Sequence, residues 1–228
     1  LTEYGLRQKR NLKKRKKIMI NCKEKFIFLH IPKTGGTSIE RAFLPDKWKT
    51  TKTKRHYNIR RMGLTKKESD EYNIFTVLRN PFTRIASTYN HFMNGPENPG
   101  FDKKSYTFNE YVYNIEKYFN GLLKPRTEYA SIHRVEDEYG KVIFDSQHVE
   151  TLSWWLETED GEQANCHFLK FESIEDDWEK FKTTINAESK LKHLNASETS
   201  EEEYMSYYDK ESREIIQQLY KDELRNYE

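Results

Sequence analysis

The stretch KFIFLHIPKTGGTSIERAF, residues 25–43, sets a pair of glycines between a short apolar run and a segment with helical spacing. KFIFLHI has the length and apolarity of a buried strand. TSIERAFL places Ile39, Ala42 and Phe43 on one helical face. A strand that turns through glycines straight into a helix is the opening unit of a parallel α/β sheet. The rest of the chain repeats the alternation. NIFTVLR, residues 73–79, reads as a second strand, and NPFTRIASTYNHFM as the helix after it, with Pro81 at an early helical position. CHFLKFESI reads as a third strand, followed by EDDWEKFKTTI as a helix with an acidic first turn. FNEYVYNIEKYF predicts an aromatic-faced helix, and residues 209–225 predict a last one with Ile215, Ile216, Leu219 and Leu224 along one side. SQHVETLSWWL fits either a strand or a helix, and residues 94–109 read as a surface loop. The predicted architecture is three-layer α/β, a central parallel sheet flanked by helices, with ligands at the C-terminal ends of the strands.

The 228 residues suffice for one core and show no dividing linker, so the reading is a basic arm over 1–24 and a single domain over 25–228. Within the arm, RQKRNLKKRKK holds eight cations in eleven positions and has the character of a solvated tail. No run approaches the roughly 18 apolar residues of a membrane-spanning helix, and no signal peptide is visible. Cys22 and Cys166 are too few for a disulfide or metal framework. The net charge of +2 conceals an asymmetry: residues 1–126 carry 28 Lys/Arg against 11 Asp/Glu, and residues 127–228 carry 11 against 26. An anion handled by the first half, and attraction between the halves, both follow from that split.

The glycine turn has the chemistry for the anion. Gly35 and Gly36 permit positive φ and close backbone approach, Thr37 and Ser38 bring hydroxyls to the helix start, and Lys33 adds a movable charge. The Walker A pattern GxxxxGK[ST] places its lysine directly before the hydroxyl residue that binds Mg²⁺. Here the lysine precedes both glycines, and an ordinary NTPase does not fit. Arg79, at the end of the second strand just before Asn-Pro, offers a second contact for an anion, with an ion pair to the acidic second half as the alternative.

These two segments resemble the sulfotransferases that use 3′-phosphoadenosine 5′-phosphosulfate (PAPS), in the carbohydrate branch that includes the heparan sulfate 2-O-sulfotransferases. HIPKTGGTSI is similar to that family's 5′-phosphosulfate loop and VLRNPFTRIASTYNHF to its 3′-phosphate segment. FLKFESIEDDWEKF and YDKESREIIQQLYKDELRNY resemble later family segments, so the likeness runs from about 25 to 227. The resemblance implies a P-loop NTPase-like sulfotransferase fold and transfer of a sulfuryl group from PAPS to a carbohydrate hydroxyl, without a metal. It implies cofactor contacts from Lys33, Thr34, Gly35, Gly36, Thr37, Ser38, Arg79 and Ser87. It also implies a late basic loop over the 3′-phosphate, for which KLKHLNAS, with Lys190, Lys192 and His193, is the candidate; a plain surface loop is the alternative. Asn195 there opens a glycosylation sequon. The compartment implied is the cytoplasm of a bacterium, or a Golgi lumen if an anchor has been removed.

Sulfuryl transfer needs a base for the acceptor hydroxyl and positive charge at the leaving phosphate. Lys33 is the candidate for the charge. His56, in KTKRHYNIRRM, is the candidate base: it lies between the two nucleotide segments, where the related 2-O-sulfotransferases carry their base histidine. Glu172 is the carboxylate alternative. His30 reads as structural, and His91, four residues after Ser87, either lines the cleft or packs; His133, His148 and His167 have no chemical context. The cations Lys47, Lys49, Lys52, Lys54, Arg55, Arg60 and Arg61 around His56 suit an acidic glycan, and equally a solvated loop. No nucleic-acid partner is expected. Two other functions compete, a nucleotide or polynucleotide kinase on a related fold and a non-catalytic polyanion-binding module.

Overall fold

All four residues of FIFL are buried, as a strand covered on both faces requires. The computed structural model of this chain describes residues 20–21, 25–43, 56–94, 106–125, 134–188, 191 and 199–227. These fall into two units, one within Leu1–Leu78 and Leu152–Asn195, the other within Arg79–Thr151 and Ala196–Glu228. Strands in chain order are β1 (Ile20–Asn21), β2 (Phe26–Leu29), β3 (Asn73–Leu78), β4 (Arg134–Glu136), β5 (Val142–Asp145) and β6 (His167–Lys170). Helices are α1 (Gly36–Phe43), α2 (Lys66–Ser69), α3 (Pro81–Tyr89), α4 (Phe108–Phe119), α5 (Leu152–Leu156), α6 (Ile174–Phe181), α7 (Glu201–Ser206), α8 (Lys210–Leu219) and α9 (Lys221–Tyr227).

The first unit is built on a sheet of order β1-β2-β3-β6. β2, β3 and β6 run parallel, and β1 pairs antiparallel along the edge of β2. Ile20–Asn21 therefore adds a strand within the segment read as a basic arm. Register aligns Ile27 with Ile74 and Phe28 with Phe75, so the period-two alternation of both strands sends like residues to like faces. Phe26, Phe28, Phe75, Val77 and Leu169 pack with Ile39 of α1 and with Ile174, Trp178 and Phe181 of α6. Ile27, Leu29, Ile74 and Leu78 pack on the other face with Ile59, Met62 and Leu64 and with Leu152, Trp155 and Leu156 of α5. The flanked parallel sheet expected from the sequence is thus present, over three parallel strands. Thr76, fully buried between its apolar neighbours, donates its hydroxyl to Leu29 O at 2.7 Å, so its polar atom costs little.

In the second unit, Asn80 caps α3 by accepting from Phe82 N, and Pro81 takes the first helical position as the sequence indicates. The helix passes into a π-helical turn, Asn90–Asn94. α4 begins at a Thr107–Glu110 capping box and spans the residues its aromatic pattern predicts. The ambiguous SQHVETLSWWL becomes a 3₁₀ turn at Ser146–His148 followed by α5, and the single helix expected over 209–225 is two, α8 and α9, parted at Tyr220. Arg84, 3% exposed, donates to the carbonyls of His148 and Glu150 and to Glu223 Oε2, each at 3.2 Å.

Tyr118 donates to the Glu150 carboxyl at 2.5 Å. Burial raises that carboxyl to about 7, against the opposing pull of Tyr118 and Arg84. The folded state therefore holds a proton that the unfolded chain releases near pH 4–5, so this group's contribution to stability is full at low pH and is lost as pH rises through about 7. Urea titrations at about pH 5 and pH 8 should show wild type losing on the order of 1–3 kcal/mol relative to a Glu150→Gln variant, whose side chain does not titrate.

Candidate active site

The loop between β2 and α1 is fixed by its own hydrogen bonds. Thr34, 1% exposed, donates its hydroxyl to Ile31 O at 2.9 Å, and Ser38 N–H donates to Gly35 O at 3.0 Å. Lys33 and Gly35 both sit at positive φ, 66° and 79°. Glycine takes that conformation without strain, but a lysine there is costly and persists only when its surroundings impose it. Gly36 opens α1, and the amides of a first helical turn have no carbonyl four residues back within the helix. The turn thus gathers N–H groups, the Thr37 hydroxyl and the half-buried Lys33 around one helix start, a setting suited to an anion.

Both glycines are also required by what lies behind them. A Cβ on Gly36 would stand 2.5 Å from Cδ2 and 2.7 Å from Nε2 of His30, and one on Gly35 would stand 2.8 Å from the Phe171 ring. His30, at the end of β2 and 5% exposed, is held in turn by a buried acid: its Nδ1 donates to Glu40 Oε1 at 2.6 Å, with Glu40 itself 2% exposed. The ring stacks on Phe28 on its strand side.

His56 is brought to this pair by the segment that follows it. Asn58 donates to Trp154 O at 2.9 Å and accepts from Arg61 N, while Ile59 N–H donates to Trp155 O at 3.2 Å and its side chain is fully buried. His56, half-buried, lies edge-on to the His30 ring, centroids 4.6 Å apart, with its Nδ1 2.8 Å from His30 O. A carbonyl only accepts, so Nδ1 carries the proton and the lone pair of the neutral ring is on Nε2. That is the tautomer of a general base. Glu172, the carboxylate alternative, is exposed in the 3₁₀ turn after β6.

In the second unit, Arg79 Nε donates to Thr83 Oγ1 at 3.1 Å and its guanidinium lies 5.4 Å from the Tyr204 ring centroid. Thr83 passes its own proton to Asn80 O at 3.1 Å. Ser87 is 7% exposed on α3, and His91 stacks with His148, ring centroids 5.8 Å apart. Lys192 lies outside the described residues, as do Lys190, His193 and the cations Lys47, Lys49, Lys52, Lys54 and Arg55. Among the described residues no group of three or more His, Cys, Asp or Glu side chains is arranged to hold a metal ion. Nor, among them, is any helix long and apolar enough to cross a membrane.

Sequence reasoning missed the Glu40–His30 pair. Its one signal was an acid four residues after Gly36, on the helix face otherwise assigned to the core.

The fold here is a glycine turn from strand to helix with His56 beside it. The family is set by comparison: the model of the sulfotransferase family matches residues 16–228, and the chain belongs to that family. It is accordingly an enzyme that transfers sulfuryl groups. Searches among curated proteins and among solved structures returned no match.

Gly36→Ala should destabilise the protein by about 1–3 kcal/mol in urea titrations, although alanine is the better helix former, because the His30 ring is tied to Glu40 and cannot yield. Gly35→Ala should cost more, since a strained φ is added to the contact with Phe171.

Proposed function

We propose that the protein transfers the sulfuryl group of PAPS to a hydroxyl of a carbohydrate, an acidic glycan in particular, releasing 3′,5′-bisphosphoadenosine. The observation that carries this reading is the loop itself, in which Lys33 precedes the glycines and is held at positive φ. The residues fit the donor. The bare Gly36 lets the His30 ring pack against the start of α1, and the backbone amides of that helix start are read as the donors to a 5′-phosphosulfate. In this reading Lys33, Thr34, Gly35, Gly36, Thr37 and Ser38 hold the 5′ end; Thr34 takes part through its backbone, since its hydroxyl already serves Ile31. In the same reading Arg79, whose Nε donates to Thr83, directs its guanidinium to the 3′-phosphate, joined by Ser87 and by Lys192, which lies outside the described residues. The carbohydrate acceptor is supported by the resemblance of the two nucleotide segments to the carbohydrate branch and by the cations around His56.

PAPS supplies an activated sulfuryl group, and this chain's residues place it and manage charge and protons. His56 Nε2 takes the proton of the acceptor hydroxyl as that oxygen bonds to sulfur. The bond from sulfur to the 5′-phosphate oxygen breaks with its electron pair going to the phosphate, where Lys33 offsets the new charge. No metal is needed for this sequence of events.

Thermal shift with millimolar 3′,5′-bisphosphoadenosine should stabilise wild type and His56→Ala equally, and Lys33→Ala less. With PAPS and an oligosaccharide acceptor, His56→Ala should lose roughly 100- to 10,000-fold in kcat. Full activity in that variant would reject His56 as the base, and stabilisation by Mg·ATP but not by bisphosphoadenosine would move the reading to a kinase.

A further inference from the structure

Three groups stand in line behind the lone pair of His56, and the last two have no assigned role. Glu40, on the inner face of α1, bonds the Nδ1 of His30, and His30 receives the Nδ1–H of His56 on its carbonyl while its ring meets the His56 ring edge-on. The pair is nearly removed from solvent, with side-chain exposures of 6% and 3%. An acid buried to that degree is expensive unless it has a partner, and this one is placed where a histidine already touches the proposed base. The His30 ring also fills the space above Gly36, where a Cβ would stand 2.5 Å from its Cδ2.

We infer that Glu40 and His30 are a positioning pair for His56: they fix its tautomer and set a negative charge behind it at the moment it takes the acceptor's proton. This rests on the reading in which His56 is the base. With His30 neutral and donating to the Glu40 carboxylate, the pair carries one negative charge, with the His30 ring 4.6 Å from that of His56, and this favours the imidazolium that forms during transfer. Among the described residues, the titratable groups in contact with the His30 ring are Glu40 and His56, and Phe28 covers another side of it. Of the neighbouring cations, Lys33 lies in the adjoining loop, Arg41 is exposed next to Glu40, and Arg61 is stacked on Tyr57.

The deciding measurement is histidine side-chain ¹H–¹⁵N spectroscopy across pH on the ligand-free full chain, wild type against Glu40→Gln, combined with kcat and bisphosphoadenosine affinity. Wild type should show His56 protonated on Nδ1. Glu40→Gln, which keeps the shape and a hydrogen bond but removes the charge, should move the His56 titration to lower pH. The acid limb of the kcat profile should follow it, with kcat reduced about 10- to 100-fold and bisphosphoadenosine affinity within about twofold of wild type. Glu40→Asp should restore the wild-type midpoint in part. An unmoved His56 titration in Glu40→Gln overturns the inference, as does an Nε2-protonated His56 in wild type; the second result decides the matter even if the variant fails to fold. Absence of any sulfuryl transfer by wild type would instead remove the parent reading, leaving the spectroscopic arms to judge the pair.

Discussion

The contact between the His30 ring and the bare α-carbon of Gly36 ties together the parts of the first unit that bear chemistry. It joins the end of β2 to the start of α1 across the loop, and it leaves no room for a side chain. From the same ring, one bond runs to Glu40 a turn further along α1, and the residue's carbonyl accepts from His56. Strand end, glycine loop, helix and His56 are thus four parties to a single histidine. Each contact restrains the others, which is how a lysine at φ 66° can be held in a conformation it would leave if free.

Beneath this arrangement the sheet does what a parallel sheet with two covered faces must. Alternation along β2 and β3 sends Phe26, Phe28, Phe75 and Val77 toward α6 and Ile27, Leu29, Ile74 and Leu78 toward α5. A slip of one residue would exchange the two sets and set Phe28 among the aliphatics, so the register that orients His30 is secured by packing over both faces. His56 depends on the aliphatic side through Ile59, whose burial beneath α5 anchors the segment carrying it.

Much of this was legible in the residues. The apolar run before the glycines, the proline after Arg79 and the aromatic period of α4 each gave an element within a residue or two of its place. The hairpin of β4 and β5 escaped because its strands are three and four residues long, too short for periodicity to register, around a turn with Gly140 at φ 77°. The break between α8 and α9 falls at Tyr220, whose apolar ring keeps the helical pattern while its hydroxyl bonds Val149 O, a partner 71 residues away. The loop was read from its own residue types, and His56 was put forward as a base from its place between the two nucleotide segments. Glu40 was not, because a carboxylate on an apolar face is explained only by its partner on another element.

The hydroxyl of Thr34 has a consequence for how a ligand is received. Because it is already bonded to Ile31 O, and Ser38 N–H to Gly35 O, the turn is closed on itself before any anion arrives. An anion that docks there would meet a turn with little conformational entropy left to lose, so the free energy of contact would go into affinity rather than into ordering the loop. The turn is in that sense rigid by construction.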